Sequence, residues 1–155
     1  MIKRKKWIAF SLMLLWMALI FYFSAQEAPR SSEQSMGIVK IIKSVLEKTT
    51  SSAKNLDISF WENVERSLRK LAHAFIYFVL GILTLNFIIN CKMKRKKLMS
   101  LVICLSYAIS DEVHQLFVPG RSGQISDVLV DFTGSVLGVL LFAIVNFYFF
   151  SRRKA

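Results

Sequence analysis

"LMSLVICLSYAISDEVHQLFV" (Leu98–Val118) is the stretch on which the fold turns. Its first twelve residues, Leu98 to Ile109, are mostly apolar, and then Asp111, Glu112 and His114 follow within four positions. Read alone it is a poor transmembrane segment, so its neighbours must decide. Trp7 to Phe23 has Ser11 as its one polar residue, Ala72 to Ile89 is broken by His73, Thr84 and Asn86, and Val128 to Phe150 carries one charge, Asp131. A hydrocarbon core about 30 Å thick is crossed by roughly 17–25 helical residues, so these three segments read as spans. Basic clusters stand beside them at Lys3–Lys6, Lys92–Lys97 and Arg152–Lys154. Cytoplasmic loops carry such an excess of Lys and Arg. The first span leads the chain out and the Ala72–Ile89 span returns it, which places Lys92–Lys97 inside. The last cluster also ends inside only if Leu98–Val118 crosses. All ten acidic residues then fall outside or in the outer half of the membrane.

The expected fold is therefore an all-α integral membrane protein: four transmembrane helices, at about 7–23, 72–89, 98–117 and 128–150, with an outer amphipathic helical connection over 24–70. Residues 1–155 form a single domain, with both termini cytoplasmic. The chain is 54% hydrophobic, has 13 Phe and carries a net charge of +11. Such a charge can signal nucleic acid, but its clustering beside apolar segments assigns it to the membrane, and nucleic acid is excluded as a partner. Cys91, at a basic helix end, and Cys104, in an apolar run, are not a disulfide pair. No Cys/His spacing of a metal site is present, and neither a metal nor a cofactor is expected. The N-terminus has the order of a signal peptide, yet its apolar core is long and "FSAQEA" (Phe23–Ala28) is a poor cleavage site, so an uncleaved first helix is expected.

The outer connection has its own pattern. Ser31 and Gln34 make a capping-box spacing. Ile38, Ile41, Ile42, Val45 and Leu46 recur at helical period, with Lys40, Lys43, Glu47 and Lys48 opposite. "TTSSAKN" (Thr49–Asn55) breaks that helix. Ser59 and Glu62 repeat the capping-box spacing, and Phe60, Trp61, Val64, Leu68 and Leu71 run straight on into the next span. Trp61 is expected as an interfacial anchor on a helix lying at the outer surface. A surface helix packed on the bundle fits the same pattern.

Depth and phase bring the polar residues together. Asp111 lies thirteen residues beyond Leu98, roughly 20 Å up a helix that rises about 1.5 Å per residue. His73 falls in the first outer turn of the second span, and Asp131 lies one turn inside Asp127 at the outer end of the fourth. Ser24 and Gln26 cap the outer end of the first. His73, Tyr77, Gly81 and Thr84 share one helical face; so do Tyr107, Asp111 and Gln115, and likewise Asp127, Asp131, Gly134 and Gly138. Small residues on the last stripe let helices approach closely. "VPGR" (Val118–Arg121) has Pro and Gly where a type II turn needs them, holding Arg121 over the site. Some of these residues have plain structural readings: Asp127 as a helix N-cap, His73 as an interfacial hydrogen bonder, Glu112 as a solvated charge. Asp111 and Asp131 resist such readings, because an ionisable residue within a span costs roughly 2.5–3.5 kcal/mol at mid-bilayer and usually pairs. Arg121 is the first choice of partner for Asp131, with His73, Arg69 and Lys70 as the others.

"RKLAHAFIYFVLG" (Arg69–Gly81), "YAISDEVHQLFVPGRSGQISDVLVDFTGSVLG" (Tyr107–Gly138) and "LIFYFSAQ" (Leu19–Gln26) resemble the signatures of the VanZ-like family of small bacterial membrane proteins. The resemblance marks Lys70, His73, Tyr77, Asp111, Glu112, Gln115, Arg121, Asp127, Asp131 and Gly134. Many members have an acid just before the Tyr, where this chain has Ile76. The resemblance implies a multi-pass protein of the bacterial cytoplasmic membrane and a link to resistance to the glycopeptide teicoplanin. It implies no agreed reaction. Three functions follow. The first is binding or modulation of an anionic lipid-linked cell-wall precursor or a lipid-tailed antibiotic, with Arg121, Lys70 and His73 holding the anion and Asp111, Asp127 and Asp131 orienting those bases. The second is a membrane enzyme on such a lipid, with His73 or His114 as base and Asp111 its orienter, or with Asp111, Glu112, His114 and Asp127 on a divalent cation. The third, a small transporter, lacks a charged path through the inner half of the bilayer. No nucleophile motif supports the enzyme, so binding is the leading expectation.

Overall fold

The computed structural model describes residues 2–26, 28–49, 57–91 and 93–152. Five helices follow in order: α1 (Ile2–Ser24), α2 (Ala28–Thr49), α3 (Ile58–Asn90), α4 (Lys96–Gln115) and α5 (Ile125–Arg152). The all-α expectation holds. Among the described residues three helical stretches, Arg4–Ser24, Ile58–Asn90 and Ile125–Phe149, are long and apolar enough to cross a membrane. Most of the Leu98–Val118 segment forms its expected helix as α4, which ends at Gln115 and is not among those three, its outer end being too polar.

Large apolar side chains face outward all round the bundle: Trp7 and Leu15 on α1, Phe75 on α3, Val102 and Val113 on α4, Leu129 and Phe147 on α5 are all exposed. A soluble domain would not leave so continuous an apolar surface. The interior is built from smaller contacts. Met13, Ile20, Tyr77, Leu80, Cys104 and Ala108 form a buried cluster where α1, α3 and α4 meet. Trp16 Nε1 donates to the Ile76 carbonyl at 2.9 Å and Tyr107 Oη to the Met17 carbonyl at 2.6 Å, tying α1 to both neighbours. Cys91 and Cys104 are both free thiols.

The α3–α5 pair is the tightest contact. A Cβ on Gly134 would collide with the Ala74 carbonyl oxygen, and one on Gly138 with that of Phe78. Glycine at these places lets the two backbones touch, as the small-residue stripe predicts.

The outer connection departs from expectation in three ways. Helix α2 starts at Ala28, so Ser31 lies inside it and not at its start; the side chains of the expected Ser31–Gln34 capping box lie outside the described ones. The cap of α3 is Asp57, whose side chain accepts from the Ile58 amide, while Ser59 Oγ donates to Asp57 at 3.0 Å. Both Asp57 and Ser59 can cap, and helix α3 begins with the earlier one. Trp61 is 8% exposed, buried where α2 packs on the start of α3, with the Lys43 ammonium 5.6 Å from its ring centroid. It is thus a packed residue and not an anchor facing lipid; the outward apolar groups there are Ile38, Ile41 and Val45 of α2 with Ile58 and Phe60 of α3. Most of the breaking segment, residues 50–55, lies outside the described residues. Helix α3 does run unbroken from the outer connection into its span.

Candidate functional site

Four helices deliver polar side chains to one end of the bundle. Asp111 of α4 is the centre. Ser24 Oγ, the last residue of α1, donates to its Oδ2 at 2.9 Å, and Tyr77 Oη of α3 donates to the same oxygen at 3.2 Å. Asp111, Tyr77 and Ser24 are all buried. From α5, Asp131 stands with its Oδ2 3.9 Å from His73 Nδ1. Ser24 therefore serves a carboxylate 87 positions away and does not cap its own helix.

Asp131 meets His73, not Arg121, which corrects the first-choice pairing. The turn explains why. Gly120 takes a φ of 74° and the Arg121 amide donates to the Val118 carbonyl at 3.1 Å, as a type II turn requires. That turn sends the Arg121 Nε to the Gln26 carbonyl, at 3.1 Å, at the outer end of α1. Burial lowers the pKa of Arg121 and Arg69 adds to the effect, while Asp111 and Glu112 oppose it. The guanidinium stays charged at any physiological pH.

The other expected residues divide into two groups. Lys70 Nζ lies 2.6 Å from Asp127 Oδ1, a half-exposed ion pair between α3 and α5. Asp127 thus holds a base, beyond its place in the first turn of α5. Glu112 is 7% exposed and accepts from the Gln124 amide at the start of α5. It is not a solvated charge: it fastens the 116–124 connection and satisfies a helix-terminal N–H. Gln115 is buried on the Asp111 face. His114 stacks its ring on Phe21 at 4.4 Å, and its Nε2 is buried with no hydrogen-bond partner among the described residues. Among the described residues the group close enough to share a cation is His73, Asp111 and Asp131, not the Asp111–Glu112–His114–Asp127 quartet.

Two hollows adjoin on α3 and α5. A small one is lined by Arg69, Lys70, His73, Asp127, Val130 and Asp131. Beside it an apolar groove of about 550 Å³ opens on the outer face of the bundle, lined by Leu71, Phe75, Phe78, Leu129, Thr133 and Leu137 among others, and Val130 borders both. A polar, partly cationic recess thus lies beside a trough of hydrocarbon-like surface.

A bundle of long apolar helices with a buried His–carboxylate cluster at one end defines a helical membrane protein with a polar site. The VanZ/LLP1 family model matches residues 9–146, and the chain belongs to this family. Among curated proteins and among solved structures nothing matches.

Proposed function

We propose that the protein binds an anionic, lipid-linked component of the bacterial envelope at the outer leaflet of the cytoplasmic membrane. The observation that carries this reading is the adjacency of the two hollows: a recess with Arg69, Lys70 and His73 shares the lining residue Val130 with an apolar groove of about 550 Å³. A phosphate or carboxylate suits the first, since Arg and Lys are the usual partners of such anions. An acyl or isoprenoid chain suits the second. Family membership supports the further step that this binding modulates susceptibility to teicoplanin.

The topology belongs to the same proposal. Helix α4 crosses as a fourth span, so both termini are cytoplasmic. Its outward residues Leu98, Val102, Ile109, Val113 and Leu116 are exposed, apolar and aligned on one stripe, while its charged residues Asp111 and Glu112 are turned inward.

Mass spectrometry of lipids retained by the chain in mild detergent tests the reading. An anionic species should be enriched on the wild type and depleted on Lys70→Ala. Equal lipid profiles on the two proteins would remove the proposal. A second reading, an enzyme acting on the same lipid, draws support from the His73–Asp131 pair beside the groove. It requires a new lipid species in expressing cells that disappears with His73→Gln, because Gln keeps hydrogen bonds but shuttles no proton near neutral pH.

A further inference from the structure

Two residues that line the polar recess, His73 and Asp131, also belong to a deeper cluster with Asp111. His73, Asp111 and Asp131 each offer one ligand atom, and these atoms all lie within 4.8 Å of one another. Asp111 is 3% exposed and Asp131 1%, and Oδ1 of each is buried with no hydrogen-bond partner among the described residues. A buried acceptor left unpaired costs about 1–3 kcal/mol, more when charged. Two such acids close together in a dry site also repel. The nearby cations point elsewhere, Lys70 to Asp127 at 2.6 Å and Arg121 Nε to the Gln26 carbonyl at 3.1 Å. Beyond what His73 itself can carry, the neighbouring cations bring no positive charge to the two carboxylates.

We propose that His73, Asp111 and Asp131 form a divalent transition-metal site that takes Mn²⁺ or Zn²⁺. One imidazole nitrogen and two carboxylates suit these ions; Ca²⁺ and Mg²⁺ prefer ligand sets made of oxygen alone. The two carboxylates cancel the charge of the ion. Zinc bonds of about 2.0–2.2 Å set tetrahedral donors roughly 3.4 Å apart, so His73 Nδ1 and Asp131 Oδ2, at 3.9 Å, close by about half an ångström, and the widest pair of the set, within 4.8 Å, by up to about 1.4 Å. Ser24 and Tyr77 donate to Asp111 Oδ2, which orients that carboxylate and leaves Oδ1 for an ion. His73 is the one partly exposed member, opening onto the Arg69–Lys70 recess, and that is the entry path. Three protein ligands leave at least one coordination position open.

The site stands on these observations and not on lipid binding, so the two fail separately. The test uses the full chain in detergent, stripped with a chelator and titrated with Mn²⁺ while electron paramagnetic resonance counts the free ion. One saturable site per chain is expected, with Zn²⁺ displacing the Mn²⁺. Asp131→Asn should weaken it at least tenfold, and Glu62→Gln, on the exposed start of α3, should leave it unchanged. Pulsed spectra of the bound ion should show nitrogen coupling that His73→Ala abolishes. The absence of a saturable wild-type site, or equal affinity in Asp131→Asn, overturns the proposal. Where Asp131→Asn does not stay folded, the nitrogen coupling of the wild type decides: a bound ion without it sits elsewhere. Retention of lipid by a chain that binds no metal would leave the proposed function intact.

Discussion

Adding one methyl group should have opposite effects at two glycines of this chain. Gly134 faces the α3 backbone, and a Cβ there would overlap the Ala74 carbonyl oxygen and crowd its carbon and Cα. The obstacle is backbone, which cannot rotate away, so Gly134→Ala forces α5 off α3. Overpacking of this kind costs typically 1–3 kcal/mol, and the upper end applies to a rigid neighbour. Against it stands the better helix propensity of Ala, about 1 kcal/mol. The net is a loss of about 2 kcal/mol. Gly37, on α2, has nothing within 4 Å of its would-be Cβ. There only the propensity term acts, and Gly37→Ala should equal or exceed wild type by up to about 1 kcal/mol. Reversible unfolding in mixed micelles, followed by circular dichroism, measures both. The site reports on the same event. His73 adjoins Ala74 in sequence and Asp131 is one turn from Gly134, so separating the helices lengthens a His73–Asp131 distance that is already 3.9 Å. Gly134→Ala should therefore disturb ligand binding without altering a ligand residue. A Gly134→Ala protein as stable as wild type would refute the claim that α3 and α5 touch through their backbones.

Tyr77→Phe removes one of the two donors to Asp111 Oδ2 and should lower stability by about 1–3 kcal/mol, with Ser24→Ala smaller because water can replace a shorter side chain more easily; equal stability of Tyr77→Phe and wild type in the same unfolding assay would show that the bond is not made. The Lys70–Asp127 pair is about one-third exposed on each side, so a double-mutant cycle should give a coupling under about 1 kcal/mol. Lys70→Ala should nevertheless strip anionic lipid; a large stability loss instead would make it a structural pair. In intact cells a membrane-impermeant thiol reagent should label Ser122→Cys and spare Cys91, and the reverse pattern would invert the proposed topology.

Much of this arrangement was legible because membrane helices expose their rules. Apolar length gave the helices, and the spacing of Asp131, Gly134 and Gly138 fixed which face of α5 turns inward. The same phase argument put His73 with Tyr77, and Asp111 with Gln115. What sequence could not supply was partner choice. Ser24, His73 and Arg121 are all able to serve a carboxylate, and only the path of the 116–124 connection decides that Arg121 reaches Gln26 while His73 reaches Asp131. The same connection folds over Glu112 and converts a residue that looked solvated into the acceptor for Gln124. Trp61 had the signature of an interfacial residue, but that signature is equally a large apolar surface for α2 to cover. Among the described residues the cap of α3 moved two positions because Asp57 and Ser59 compete for one role.

Helix α3 is 33 residues long, about 50 Å at 1.5 Å per residue, against a hydrocarbon layer of about 30 Å. It contains no proline, and its one glycine, Gly81, lies beyond the site. Kinks in helices arise almost always at proline, at glycine or serine pairs, at bulges or at inserted side chains. Between Trp61 and His73 the rod has none of the first two. Those residues are about 18 Å apart along it. The arm under α2 and the imidazole in the bundle therefore stand on one unbroken helix, so a displacement at Trp61 has a continuous helical path to His73. A macromolecule that landed on α2 would so have a mechanical line to the polar site without entering the membrane.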